Sequence, residues 1–267
     1  MNTAVDRSAP SRILPALEVR GIWEFQAFFA AYPLLRRAPR GDGHPVLVLP
    51  GLAASDVPTW PLRSFLKAQG YAARRWKQGV NRGPRAGVET GINAKIGDLS
   101  RRYSPKVRLI GWRLGGVFAR EAVRRSPDLV RPVITFGGPF GNEPKASNAW
   151  RLYEVLSGRS VDDWPDREAM KFPPPVPSSA IYNRSEGIVA WQRCHERDGA
   201  QTQNIEVVSK HCELGHNPAA IYVIADRLAP AEDVWPPFDR GGLRRLVHPN
   251  RNRRNDYSAF RVASVKA

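Results

Sequence analysis

This sequence contains little cysteine, which excludes some classes of protein. Only Cys194 and Cys212 occur among 267 residues, so a fold held together by several disulfides is excluded, although a single bridge is not. No spacing of cysteine and histidine typical of a metal site accompanies them. We therefore expect no metal, and nothing in the sequence indicates an organic cofactor.

Long hydrophobic runs are also missing. No apolar stretch approaches the roughly 20 residues that a membrane-spanning helix needs. The N-terminal segment lacks the order of basic start, apolar core and small-residue cleavage site that defines a signal peptide. These absences predict a cytoplasmic protein without a membrane span.

Acidic residues are in the minority, with 25 Asp and Glu against 41 Lys and Arg and a net charge of +16. Such an excess indicates a polyanionic partner only where the charge is clustered on one face. Here the basic residues are scattered through predicted helices and concentrate only at 240–245 and 251–254, where Tyr257 and Phe260 are the few aromatic neighbours. We expect a solvated basic tail and no nucleic-acid site.

The sequence is rich instead in short apolar strands that alternate with amphipathic helices. This alternation predicts an α/β fold with a mainly parallel, doubly wound sheet built by right-handed crossovers. One or two further helices over 13–35 are expected to rest on the sheet or beside the pocket mouth. The predicted strands are 45–49, 71–76, 107–110, 132–136, 179–183 and 204–208, and the predicted helices are 61–69, 88–103, 146–156, 188–194 and 219–228.

The domain boundaries follow from the same pattern. Residues 1–11 are polar and are expected to be disordered, and residues 251–267 form the basic tail. A single domain over 12–250 accounts for the rest, since α/β domains of this length are common.

The stretch Lys106–Arg125 is the centre around which the other segments are arranged. An apolar strand meets the turn GWRLGG at 111–116 and then a helical pattern. This is the pattern of a nucleophile elbow, G-x-S-x-G, whose small residues let strand and helix pack closely while the middle residue is held in a strained conformation. The middle residue here is Arg113, where the motif has serine.

This elbow, the segment HPVLVLPGLAASD at 44–56, and the segments IYNRSEGIVAWQ and SKHCELGHNPAAIYVIADRL at 181–192 and 209–228 resemble the α/β-hydrolase family, in particular its bacterial lipase- and esterase-like members. The resemblance covers roughly residues 30 to 250. It implies the α/β-hydrolase fold, with an insertion at about 142–177 that is either a lid over the pocket or a surface excursion. The segments follow the family's chain order of nucleophile, acid and histidine.

The resemblance also assigns roles to particular residues. The backbone N–H groups of Leu52 and Leu114 match the two donors of the oxyanion hole. Glu186 matches the triad carboxylate, which is usually Asp in this family, and His211 matches the general base. His216 competes with His211 for the role of base, but it lies just before Asn217-Pro218, which predict a helix cap and first turn.

A thiol nucleophile at Cys212 is not expected. Adjacent residues on an extended segment point in opposite directions, so His211 is poorly placed to activate its neighbour.

Arginine at position 113 leaves three interpretations of function. The chain is an ester hydrolase by architecture that is impaired or inactive because its nucleophile is missing, with a small-molecule ester or acyl compound as ligand. Alternatively, it is a pseudoenzyme in which Arg113 binds a carboxylate or phosphate above the elbow helix. The third interpretation is a nucleic-acid binder that uses the basic tail, which we expect least because of the composition of that tail.

Overall fold

A computed structural model describes residues 28–103, 106–139, 150–163, 167–184, 191–208, 215–232, 234–242 and 244–249. The expectations for residues 1–11 and 251–267 lie outside this part of the chain and stay predictions.

Six parallel strands form the centre of the fold, in the order β2-β1-β3-β4-β5-β6. Strands β1, β3, β4 and β5 are buried along their whole length, as expected for a parallel sheet covered on both faces. The predicted parallel α/β sheet is confirmed. The strands are β1 (Pro45–Leu49), β2 (Ala72–Arg75), β3 (Val107–Trp112), β4 (Val130–Phe136), β5 (Ser178–Tyr182) and β6 (Thr202–Glu206).

Of the described helices, one precedes β1, five lie between successive strands and two follow β6, in agreement with the predicted alternation. They are α1 (28–35), α2 (Trp60–Ala68), α3 (Val88–Tyr103), α4 (Leu114–Arg125), α5 (Trp150–Ser157), α6 (Arg167–Met170), α7 (Pro218–Leu228) and α8 (Arg244–Val247). The predicted helix 188–194 appears in the described residues only as a 3-10 turn, Trp191–Cys194. Helix α7 begins as predicted, because the Asn217 side chain accepts hydrogen bonds from the N–H groups of Ala219 and Ala220 at 2.9 and 3.1 Å.

Two hydrophobic cores enclose the sheet, one on each face. Helices α1, α2 and α7 pack with alternate strand residues such as Val46 and Val48, whereas α3 and α4 pack with Leu47 and Leu49 on the other face. This alternation follows from the two-residue period of a strand. None of the helices in the described ranges is both long enough and apolar enough to cross a membrane.

Helix α1 buries only some of its apolar side chains in the core. Phe28 and Leu35 are buried, but Phe29 and Leu34 are 58% and 66% exposed. The core side of α1 therefore uses residues seven apart, which lie two helical turns from each other.

His248, just after α8, is a buried histidine whose ring packs edge to face on Phe238 with centroids 5.0 Å apart. Burial lowers the pKa of this imidazole to about 4, against a smaller opposing effect of a hydrogen bond to the backbone of Glu206. The charged form is thus disfavoured only in the folded protein.

The free energy of unfolding should consequently depend on His248 at acidic pH. Between pH 6.5 and about 4 this histidine binds a proton in the unfolded chain but stays neutral in the folded chain. The free energy of unfolding therefore decreases as the pH falls, by up to about 3 kcal/mol from this residue. Urea unfolding at pH 7.0, 5.5 and 4.5 measures the loss. The His248→Phe variant should lose less stability over this range, and an equal loss in both proteins would contradict the assignment.

Candidate active site

The candidate site lies where the winding of the sheet changes direction. From β1 the chain crosses to β2 on one side and then returns to β3 on the other. Helices α2 and α3, which make these crossings, cover opposite faces of the sheet. In open α/β sheets, ligands bind outside the carboxyl ends of the strands at such a switch point. Two segments meet there, the loop after β1 (residues 50–54, the β1 loop) and the turn at Arg113.

Arg113 has the backbone conformation of a strained turn. Its φ of 49° and ψ of −115° are unusual for a residue with a side chain and cost about 1–3 kcal/mol. Its N–H donates to the Phe136 carbonyl at 2.9 Å, and its carbonyl accepts from the Gly116 N–H at 2.8 Å. These two bonds tie the turn to β4 and to the first turn of α4. The structure therefore has the strand-turn-helix geometry that the sequence of 106–125 predicts.

The strand before this turn is longer than predicted. Gly111 and Trp112 were expected in the turn, but they continue the ladder with β4 opposite Thr135 and Phe136. Their place in the ladder leaves Arg113 alone to reverse the chain, which explains why the strain falls on this residue.

Glycines flank the turn because no side chain fits there. A Cβ on Gly115 would lie 2.7 Å from the Pro50 carbonyl oxygen and closer still to the Leu49 oxygen. A Cβ on Gly111 would meet the Gly116 backbone nitrogen at 2.5 Å. Strand β3, helix α4 and the end of β1 thus approach each other at backbone distance.

The Gly115→Ala substitution should destabilise the protein by about 3 kcal/mol, because the new methyl group can be accommodated only by moving backbone. The matched control is Gly97→Ala in α3, where the nearest atom is the end of the Arg101 side chain at 3.4 Å. That change should stabilise by about 0.5–1 kcal/mol through helix propensity. Thermal unfolding of both variants measures the contrast, and equal midpoints would refute the close approach.

The β1 loop rests directly against the turn. A Cβ on Gly51 would lie 3.5 Å from the Arg113 Cβ and 3.4 Å from the Trp112 carbonyl oxygen. Among the residues that the structure describes, the N–H groups of Leu52 and Leu114 donate no hydrogen bond. The N–H of Leu114 is in the first turn of α4, where helical N–H groups have no partner within the helix. Two unused backbone donors thus belong to the two segments that meet at the switch point.

Three side chains hold the segment after β1 in place. The Asp56 carboxylate accepts from the N–H groups of Trp76 and Lys77 at 3.0 and 3.1 Å. The Asn81 amide nitrogen donates to the Pro50 carbonyl at 2.8 Å. The imidazole Nε2 of buried His216 lies 3.0 Å from the Pro58 carbonyl oxygen. These anchors could not be predicted from the sequence, since no motif marks them and each bond joins residues at least 20 positions apart.

The Arg113 side chain is half-buried and lies beside Trp112, with its guanidinium carbon 5.8 Å from the centre of the indole ring. The Trp112 ring in turn stacks on Phe136 and meets His216 edge to face. A fixed positive charge therefore lies at the turn, in the position that the motif gives to a nucleophile.

Glu186, His211 and Cys212 lie outside the described residues, so their assigned roles stay predictions. The strands that precede them end at Tyr182 in β5 and Glu206 in β6. All six strands are parallel, so these carboxyl ends lie at the same edge of the sheet as those of β1 and β3. A disulfide between Cys194 and Cys212, which the sequence does not exclude, likewise involves a residue outside the described ranges, Cys212.

Of the insertion predicted at 142–177, the structure describes residues 150–163 and 167–177. Its helix α5 buries Tyr153 against the loop before α3, whereas Leu152 and Val155 are exposed. Helix α6 and the chain after it contact α4 through Arg120 and Arg124. Whether the insertion works as a lid stays a prediction.

The described residues contain no group of three or more His, Cys, Asp and Glu side chains that could hold a metal ion.

The fold of this chain is similar to that of several solved structures. No family model matches the chain, and no curated protein matches it. Among solved structures, a monoacylglycerol lipase of Paleococcus ferrophilus is similar over 72% of this chain and 96% of its own, with a TM-score of 0.52 and 13% identity. The esterase domain of a Rhodothermus marinus protein covers 72% and 88%, with a TM-score of 0.50 and 18% identity.

Aspergillus fumigatus lipase B has a TM-score of 0.54 and 16% identity over 72% of this chain and 54% of its own. At these identities the likeness concerns the fold alone. It confirms the predicted α/β-hydrolase fold.

Proposed function

We propose that this chain, which has the α/β-hydrolase fold, is a carboxylic ester hydrolase scaffold in which Arg113 occupies the position of the nucleophile. The observation that carries the proposal is the strained turn at Arg113 beside two unused backbone donors. A carbonyl carbon above the turn would place its oxygen near the N–H groups of Leu52 and Leu114. The structural neighbours include a lipase and an esterase by description, which agrees with an ester substrate.

Each proposed role follows from the chemistry of acyl transfer. A serine at position 113 would lose its proton to His211 as its oxygen bonds to the carbonyl carbon. The negative charge that develops on the carbonyl oxygen would be held by the two backbone N–H groups. His211 would then give the proton to the departing alcohol, and Glu186 would keep the imidazole in the required tautomer and orientation. Water would release the acyl group by the same steps.

Arginine cannot take the first of these steps. Its guanidinium stays protonated at working pH and has donors but no acceptor or nucleophilic atom. Loss of the nucleophile from such a site costs on the order of 10⁶ in turnover. We therefore propose that the natural chain is impaired or inactive toward esters, although the rest of the site is retained.

Hydrolysis of short and medium p-nitrophenyl esters by the natural chain and by Arg113→Ser tests this proposal. Activity confined to the serine form, and lost again on His211→Ala, is the expected result. If the natural chain and Arg113→Ser are both folded but neither hydrolyses these esters, the hydrolase proposal is overturned. Comparable activity in the natural chain would overturn the assignment of position 113.

A second candidate function is a pseudoenzyme that binds a small carboxylate or phosphate. The observation that favours it is the guanidinium at the amino end of α4 next to two N–H donors without partners in the described residues, a combination suited to an anion. Calorimetric titration with acetate and with inorganic phosphate tests it. Binding that disappears in Arg113→Ala supports this function, and no binding by the natural chain rejects it.

A further inference from the structure

Asn81 contacts the β1 loop on both sides of Leu52. Its amide nitrogen donates to the Pro50 carbonyl at 2.8 Å. Its backbone carbonyl accepts from the Ala53 N–H at 2.7 Å, and its backbone N–H donates to the Ala54 carbonyl at 2.8 Å. The residue is fully buried. One asparagine therefore fixes the residues before and after the peptide group that carries the Leu52 N–H.

We propose that Asn81 is a positioning residue that holds the β1 loop so that the Leu52 N–H points into the site; this inference rests on the proposed ester-hydrolase function. A backbone donor stabilises a developing oxyanion only if its direction is fixed before the reaction. The contacts of Asn81 occupy the carbonyl of Pro50 and the N–H of Ala53, and the Leu52 N–H between them has no partner among the described residues.

The far side of Asn81 is held equally firmly. Its amide oxygen accepts from the Gly83 N–H at 3.0 Å, which closes a turn over 81–83. Gly83 has φ +89°, and a Cβ there would meet the Ser157 Cβ at 2.9 Å and the Tyr153 ring at 3.2 Å. Helix α5 thus covers this turn. Asn81 is enclosed between α5 and the β1 loop, so movement of its side chain is restricted.

The contacts require an amide at this position. An amide supplies the donor for Pro50 and the acceptor for Gly83 on one planar group. Aspartate would keep the acceptor but would place a carboxylate oxygen against the Pro50 carbonyl oxygen, which repels it. Asn81→Asp therefore removes the side-chain bond to Pro50 while it keeps the turn over 81–83, and Asn81→Ala removes both side-chain bonds. The two backbone bonds with Ala53 and Ala54 remain in either variant but lose the support of the Pro50 bond.

The first test needs no activity. Amide hydrogen exchange of the natural chain, followed by NMR, should show protection at Ala53. In Asn81→Asp and Asn81→Ala the Ala53 amide should exchange at least about 10-fold faster, because local opening becomes easier, while amides of β1 and β3 keep their rates. Asn93→Ala in α3 is the matched control and should leave all of these rates unchanged. Equal Ala53 exchange in all proteins, or global unfolding of both Asn81 variants, would overturn a local positioning role.

The second test uses Arg113→Ser as the parent. Adding Asn81→Asp should lower kcat for a p-nitrophenyl ester about 10- to 100-fold with KM changed less than about threefold, since a misdirected donor affects the transition state most. Adding Asn93→Ala should change neither constant. Unchanged kcat in an active parent overturns the inference about Asn81. An inactive Arg113→Ser parent overturns the proposed function instead, and the exchange experiment still decides whether Asn81 holds the loop.

Discussion

Ester hydrolysis by the Arg113→Ser variant is expected to exceed that of the natural chain by about 10⁴-fold or more in kcat/KM. Under the proposed function the substitution supplies the missing nucleophile, and triad nucleophiles contribute on the order of 10⁶ in turnover. We expect somewhat less because the partners of a newly introduced hydroxyl are not optimised for it. The strained backbone at position 113 is already present in the natural chain, so the serine oxygen needs no rearrangement to reach the site.

Variants in the Arg113→Ser background separate the proposed roles. His211→Ala should return the rate to that of an Arg113→Ala control, because without a base the hydroxyl is not activated. Glu186→Gln should lower the turnover on the order of 10⁴-fold. His216→Gln should have a much smaller effect, since its ring contacts the Pro58 carbonyl. Loss of activity with His216→Gln and retention with His211→Ala would reverse the assignment of the base.

A buried ion pair joins the elbow helix to the chain that follows the insertion. The Arg120 guanidinium contacts the Glu196 carboxylate and also donates to the carbonyls of Met170 and Phe172 at 3.1 and 2.8 Å. Glu196 accepts a further hydrogen bond from the Ser178 hydroxyl of β5. Both charged residues are 5% exposed or less. The pair therefore holds α4, β5 and the end of the insertion together.

Arg120→Met should destabilise the protein by about 3–5 kcal/mol, which is the usual cost of leaving one member of a buried pair alone. Burial raises the pKa of the Glu196 carboxyl, and the opposing charge of Arg120 lowers it. Without Arg120, the carboxyl either stays charged at high cost or takes up a proton. Urea unfolding of the variant measures the loss.

Arg124→Met is the matched control for this change. Arg124 donates to the same Phe172 carbonyl and to the Ala169 carbonyl at 2.5 and 2.7 Å, but it is only half-buried. The Arg124→Met substitution should therefore lower the free energy of unfolding by about 1 kcal/mol. The double variant Arg120→Met, Glu196→Leu should be less destabilised than the sum of its single changes. Simple additivity, or equal losses for Arg120 and Arg124, would contradict the role given to the pair.

The sequence was sufficient to predict the sheet and the elbow because both depend on local patterns. Strand β1 is a continuous apolar run, and the glycines at 111 and 115 mark a place where backbones touch. Such patterns are set by neighbours in the chain. The end of β3 was less predictable, because pairing with β4 outweighed the turn tendency of Gly111.

The supports of the site were not predictable, because they join distant parts of the chain. Asn81 and Pro50 are 31 residues apart, and Arg120 and Glu196 are 76 apart. In the sequence, an asparagine shortly before a glycine-proline pair does not indicate a buried contact, and one arginine among many does not indicate one either. Only the fold brings these groups together, so their contacts are seen in the structure and not in the sequence.

Covalent labelling of position 113 tests the central claim most directly. A fluorophosphonate reacts with an activated serine hydroxyl: an oxygen–phosphorus bond forms, fluoride leaves and the general base takes the proton. Mass spectrometry should find one label per chain, on the serine of Arg113→Ser, and none on the natural protein or after the additional change His211→Ala. A folded Arg113→Ser protein that stays unlabelled, or a label on any other residue, would contradict the claim that an esterase site is preserved around Arg113.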